Sequence, residues 1–143
     1  MRAGFALLLM AVIGAASAGG RVSQEPAASL DYDYFKTQVQ PIFLTKREGH
    51  ARCISCHGSG TPMRLQPAPA GSKGWSDEDS RKNFDAVRRF VVPGSVPKSK
   101  LLVHPLAEAA GGDFYHSGGK HWNSQNDPEW LILKNWVFGQ TGK

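Results

Sequence analysis

Cys53-Ile54-Ser55-Cys56-His57 sets two thiols and an imidazole at a fixed, close spacing, and its two cysteines are the only ones in the 143-residue chain. This C-x-x-C-H run is the attachment signature of a c-type haem. Each thiol can add across one vinyl group of the porphyrin, forming a thioether. His57 is then held beneath the ring, where it can place a nitrogen on the iron. In such a site the iron does the redox chemistry, and the protein sets its potential and its access.

Other uses of the same residues fit less well. A thiol–disulfide redox pair sits after a strand in a βαβ pattern, and no strand pattern leads into Arg52. A zinc site would have one Cys pair and would need histidines to complete it. A structural disulfide leaves the adjoining His57 without a reason. No second C-x-x-C-H run and no internal repeat occur, so one haem per chain is expected.

The elements around the motif read as helices joined by loops. Residues 31–44 read as a helix, with Asp33 as a possible cap and Phe35, Val39, Ile42 and Phe43 on one face; Pro41 should kink or end it. A basic connector, 45–52, leads into the motif. Residues 58–74, with Pro62, Pro67 and Pro69, read as a loop suited to line a cofactor edge. Ser76-Asp77-Glu78-Asp79 starts a second helix with acidic residues in its first turn. Its buried face is Phe84, Val87 and Val91, and Pro93-Gly94 stops it. A short helix or turn is expected within 98–106, and a Gly- and His-rich loop over 109–126. Asp127-Pro128-Glu129 then opens a closing helix with Trp130, Leu133, Trp136 and Val137 inward, and Gly139 is its stop. The absence of alternating β-rich runs makes the chain mainly α.

Residues 1–18 read as a secretory signal peptide: Met1-Arg2, an apolar stretch over 4–14, and Ala16-Ser17-Ala18 as a cleavage site. The apolar stretch is shorter than the ~20 residues of a spanning helix, so no stable membrane insertion of the mature chain is expected. Residues 19–30 read as a flexible leader and 31–143 as a single domain. Export places the protein in the periplasm or outside the cell, where c-type haem is attached. Hydrophobic residues make up 41% and charged residues 20%, which argues against a disordered chain. The net charge of +5 is not gathered into a Lys/Arg stripe interleaved with aromatics, so nucleic acid is not an expected partner.

The order of elements resembles a class I c-type cytochrome, and more narrowly the small bacterial single-haem cytochrome c domains. The similarity lies in Val39-x-Pro41-Ile42-Phe43 ahead of Cys53-x-x-Cys56-His57-Gly58. It lies also in Pro93-Gly94 followed by Ser99-Lys100-Leu101-Leu102, and in a closing helix with Trp136-Val137 before Gly139. The resemblance implies helices packed around one covalently bound haem with long loops, one-electron transfer to redox partner proteins, and no catalysis. It also implies a second axial ligand from the loop before the closing helix, usually a Met. No Met follows Met63. The matching place reads Gly118-Gly119-Lys120-His121-Trp122, which makes His121 the favoured replacement and lets Trp122 pack on the macrocycle. His116, His104 and Met63 are the competitors. His50, just before the motif, reads as a surface residue, and Arg52, Arg64 and Lys120 as solvated charges able to pair with propionates. The alternative function is a haem-based peroxidase or gas sensor with an open distal site.

Overall fold

The computed structural model describes residues 29–68, 70–71 and 74–142. The predicted signal peptide and most of the predicted leader lie outside the described residues. Five helices carry the fold, and the described residues contain no strand ladder, only an isolated parallel bridge between Leu106 and Trp122. The chain is mainly α, as expected.

Helix α1, over 32–42, has three consecutive parts: α-helical Tyr32–Tyr34, a π-helical turn Phe35–Val39 and α-helical Gln40–Ile42. Its cap is Asp31 rather than the expected Asp33. Asp31 is extended and its carboxylate accepts the Tyr34 N–H at 2.9 Å, while Asp33 lies inside the first turn. Pro41 neither breaks nor immediately ends the helix. The wider π turn precedes it, with the Gln40 N–H reaching back to Phe35 O, and the helix runs one residue past the proline. Tight bonds from Phe43 to Gln40 O and from Leu44 to Pro41 O then close it.

Helix α2 is Cys53–His57, too short to persist alone. It is tied at both ends: Ile54 N–H donates to Phe43 O at 3.1 Å, and Leu65 N–H donates to His57 O at 2.7 Å. Helix α3, Asp77–Arg88, starts as read from the sequence, with Ser76 Oγ accepting the Asp79 N–H. It stops five residues before Pro93, because Phe90 and Val91 turn back to Val87 O and Arg88 O, and Phe90 O then accepts Leu101 N–H. Helix α4, Lys100–Val103, is preceded by fully buried Ser99, whose hydroxyl accepts Val92 N–H and donates to Ser95 O.

Helix α5, Pro128–Val137, is capped by Asp127, which accepts the Glu129 N–H. It ends in a Schellman turn: Gly139 has φ +67°, its N–H donates to Trp136 O, and Gln140 N–H donates to Asn135 O. α1 packs on α5 and on α3, and α4 packs on α5. Trp130, Leu133, Trp136 and Val137 are buried against Phe35, Val39, Leu102 and Leu106. Two indole N–H groups stitch the core: Trp130 donates to Leu102 O at 3.1 Å, and Trp136 to Asp31 O at 2.8 Å.

Between α4 and α5 the chain makes a loop whose neck is the Leu106–Trp122 bridge. His121 N–H donates to Pro105 O at 2.7 Å and Ala107 N–H to Trp122 O at 2.8 Å. Gly112 sits against the base of this loop, where a Cβ would lie 1.9 Å from Leu106 O and 2.9 Å from Val103 O. Gly112→Ala is therefore expected to destabilise the fold by about 1–3 kcal/mol, because backbone must move to admit the methyl group. Thermal melting of the variant checks this; an unchanged midpoint would show that the neck yields freely.

Candidate functional site

The motif residues face one cavity of about 330 Å³, mostly apolar in lining. α2 supplies Cys53, Cys56 and His57; the following turn supplies Thr61, Pro62 and Met63; α4 and the loop beyond it supply Leu101, His104, His116, His121 and Trp122. The sequence-predicted residues Cys53, Cys56, His57 and His121 are thus brought together. The competitors His116, His104 and Met63 line the same cavity.

His57 is held in one orientation. Its Nδ1 lies 2.9 Å from Met63 O and 3.0 Å from Thr61 Oγ1, and the Thr61 hydroxyl donates to the same carbonyl at 3.0 Å. A carbonyl can only accept, so Nδ1 carries the proton and Nε2 is left with a free lone pair. Burial lowers the His57 pKa, opposed by the bond to Met63 O and helped by His116. Met63 thus serves His57 through its main chain.

Burial raises the Cys53 pKa, with the Arg47 charge pulling the other way. A protonated Cys53 thiol is a poor nucleophile for disulfide exchange, and both cysteines are free. No three His, Cys, Asp or Glu side chains among the described residues are close enough to enclose a metal ion, which leaves zinc short of its usual four ligands. An apolar cavity with two thiols and an oriented imidazole on one wall matches the chemistry of a large planar cofactor better.

Arg47 lies beside Cys53, with a guanidinium nitrogen 3.9 Å from its sulfur. Its guanidinium donates to Glu129 at 2.6 Å and to Ile42 O at 3.3 Å, and lies 5.2 Å from the centre of the Trp122 ring. Trp122 in turn donates to Glu129 at 3.3 Å. A basic connector thereby joins α1, α5 and the loop neck, a role that its composition does not signal. Lys120 is also engaged: its ammonium donates to His104 O at 3.0 Å and to Asp113 O. Arg52 lines the cavity and, like Arg64, is exposed.

All five histidines of the chain form one linked group. His50 is half-buried, its ring 4.9 Å from His121, rather than out in solvent. His116 lies 6.0 Å from His121, 6.3 Å from His57 and 6.4 Å from His104 between ring centres. His104 Nδ1 rests against the Asp113 carboxylate. His116 Nδ1 is 2.7 Å from Gly119 O, so it too carries its proton there. His121 Nδ1 is buried and meets no partner among the described residues. At the cavity mouth Tyr115 packs on Phe114, and both are exposed.

The His121 pKa falls to about 4, through burial first and then the charge of Arg47 and the neighbouring imidazoles. A histidine that stays neutral when folded but protonates near 6.5 when unfolded stabilises the fold fully above about pH 6.5. That contribution is lost as the pH falls toward 4. Melting midpoints should therefore drop between about pH 7 and about pH 4.5, and His121→Gln should flatten that slope. An equally steep slope in the variant would assign the acid sensitivity elsewhere.

Comparison of the chain with protein-family models, with curated proteins and with solved structures found no match.

Proposed function

We propose that this protein is an exported mono-haem c-type cytochrome that carries one electron at a time between redox partner proteins. The observation that carries the reading is the convergence of Cys53, Cys56 and an oriented His57 on one apolar cavity whose lining also includes His104, His116 and His121. It extends the resemblance to small class I cytochromes c.

Cys53 and Cys56 would hold the haem: each S–H adds across a vinyl group, sulfur bonding to one carbon and hydrogen to the other. His57 would offer Nε2 to the iron. The bound haem supplies a reversible change of one electron between ferric and ferrous iron. The chain's own part is to fix and shield. Met63 O and Thr61 keep the Nδ1 proton of His57 in place, which holds the ring orientation and makes Nε2 a better donor. Trp122, Leu101 and Phe43 keep one side of the cavity dry. Tyr115 and Phe114 present exposed apolar surface at its mouth, where a partner can approach. No helix among the described residues is long and apolar enough to cross a membrane.

Absorption spectra of the protein matured in a host that attaches c-type haem test the reading. Low-spin spectra in both redox states and no uptake of carbon monoxide by the reduced protein are expected. Ready binding of carbon monoxide would favour the peroxidase or gas-sensor alternative.

A further inference from the structure

We propose that His116 is the second axial ligand, so that the iron is held between His57 and His116; the inference rests on the haem reading above. The two rings line the same cavity with centres 6.3 Å apart and planes only 16° from parallel. Two imidazoles bound on opposite sides of one metal ion, each at about 2.0 Å, hold their ring centres roughly 6–6.5 Å apart. The distance between the two ring centres falls within that range.

The protonation pattern agrees. His57 Nδ1 donates to Met63 O at 2.9 Å and His116 Nδ1 donates to Gly119 O at 2.7 Å. Each ring is therefore the tautomer with Nε2 free, and each is oriented by a main-chain carbonyl, as metal-bound histidines are. The glycines after His116 make this possible. Gly119 has φ +80°, which folds its carbonyl back toward the imidazole, and a Cβ on Gly118 would come within 3.2 Å of His116 Cε1.

The other candidates are placed differently. His121 is tilted 63° from His116 and packs on His50 at 4.9 Å, with its Nδ1 held by no carbonyl among the described residues. Its backbone is part of the loop neck through Pro105 O. His104 is near-parallel to His116 as well, at 6.4 Å and 14°, and Asp113 holds its Nδ1, but among the described residues its ring meets His116 and makes no ring contact with His57. Met63 gives its carbonyl to His57 on the proximal side. His116 alone combines the spacing to His57, the near-parallel planes and a carbonyl-oriented ring.

The test uses the haem-loaded protein and reads spin state, ligand uptake and potential. The wild type should be low-spin when oxidised and when reduced, without the absorption band of a sulfur-to-iron bond. His116→Ala should lose the low-spin spectrum and gain carbon monoxide binding when reduced, and added imidazole should restore the low-spin form. His116→Met should stay six-coordinate, gain the sulfur band and shift to a higher potential, since Met/His pairing raises it. That variant keeps the test decisive if His116→Ala folds poorly. His121→Ala and His104→Ala should remain low-spin. A low-spin His116→Ala protein, or a high-spin His121→Ala or His104→Ala protein, overturns the assignment while leaving the haem reading intact. A mature protein whose peptide with Cys53 and Cys56 carries no haem mass overturns both.

Discussion

Replacing Cys53 and Cys56 together by alanine is expected to leave a chain that cannot retain haem and does not fold cooperatively. The site is a cavity of about 330 Å³ whose walls come from α2, α4 and the loop before α5. Without the cofactor, those walls have nothing between them. A ligand that binds only the native state stabilises it, and a tethered one does so at high effective concentration. α2 would be most affected, since a helix of five residues depends on its neighbours. Circular dichroism of the haem-free double variant should show weakened helix signal and a broad melt. A sharp melt at the midpoint of the holoprotein would mean that the helices need no cofactor. Mass spectrometry of the wild type supplies the companion result, a haem-sized increment on the peptide that holds both cysteines.

Trp136→Ala should cost about 3–5 kcal/mol, a large share of the roughly 5–15 kcal/mol that holds a domain together. The indole is fully buried, meets Phe35 at 5.2 Å and Phe84 at 5.9 Å between ring centres, and donates to Asp31 O. Alanine would leave a cavity where α1, α3 and α5 meet and deprive that carbonyl of its donor. Trp136→Phe should be milder, losing the hydrogen bond but keeping most of the packing. Urea unfolding of both variants measures the difference. A cost below about 1 kcal/mol for Trp136→Ala would show that this seam collapses without penalty and does not anchor the fold.

The parts legible in the sequence are those decided by neighbours along the chain. Ser76 and Asp127-Pro128 start their helices because a cap needs only the next few residues, and Gly139 ends α5 for the same reason. Asp33 reads as the cap from the sequence, but Asp31 fills the role. The choice is made by partners more than a hundred residues away, where Trp136 bonds Asp31 O and Thr141 bonds its carboxylate. Ser80 and Asn83 are fully buried, and hydropathy gives no sign of it, because each is retained by a polar partner from another segment. In the candidate site, Cys53, Cys56 and His57 are contiguous and could be read directly. The loop histidines could be gathered from sequence as a group, and the resemblance ranked His121 first by its place before Trp122. His116 and His121 share one glycine-bearing loop, and what separates them is which ring has a carbonyl behind it. Arg47 was hidden for a similar reason, since its partners lie at the end of α1, in the loop neck and on α5.

The bridge between Leu106 and Trp122 gives the segment from 107 to 121 an independence that the helices lack. Its two ends are pinned beside each other, and Gly112 and Asp113 are held against α4, so the helical core registers the neck and this base but little beyond them. Lengthening such a loop twofold adds roughly 0.6 kcal/mol of closure entropy. The stretch beyond Asp113, around residues 114–119, can therefore accept insertions, deletions or a different donor atom while α1, α3 and α5 keep their packing. The tuning of this site is an exchangeable cassette, open to change in evolution or by design at little risk to the scaffold that carries it.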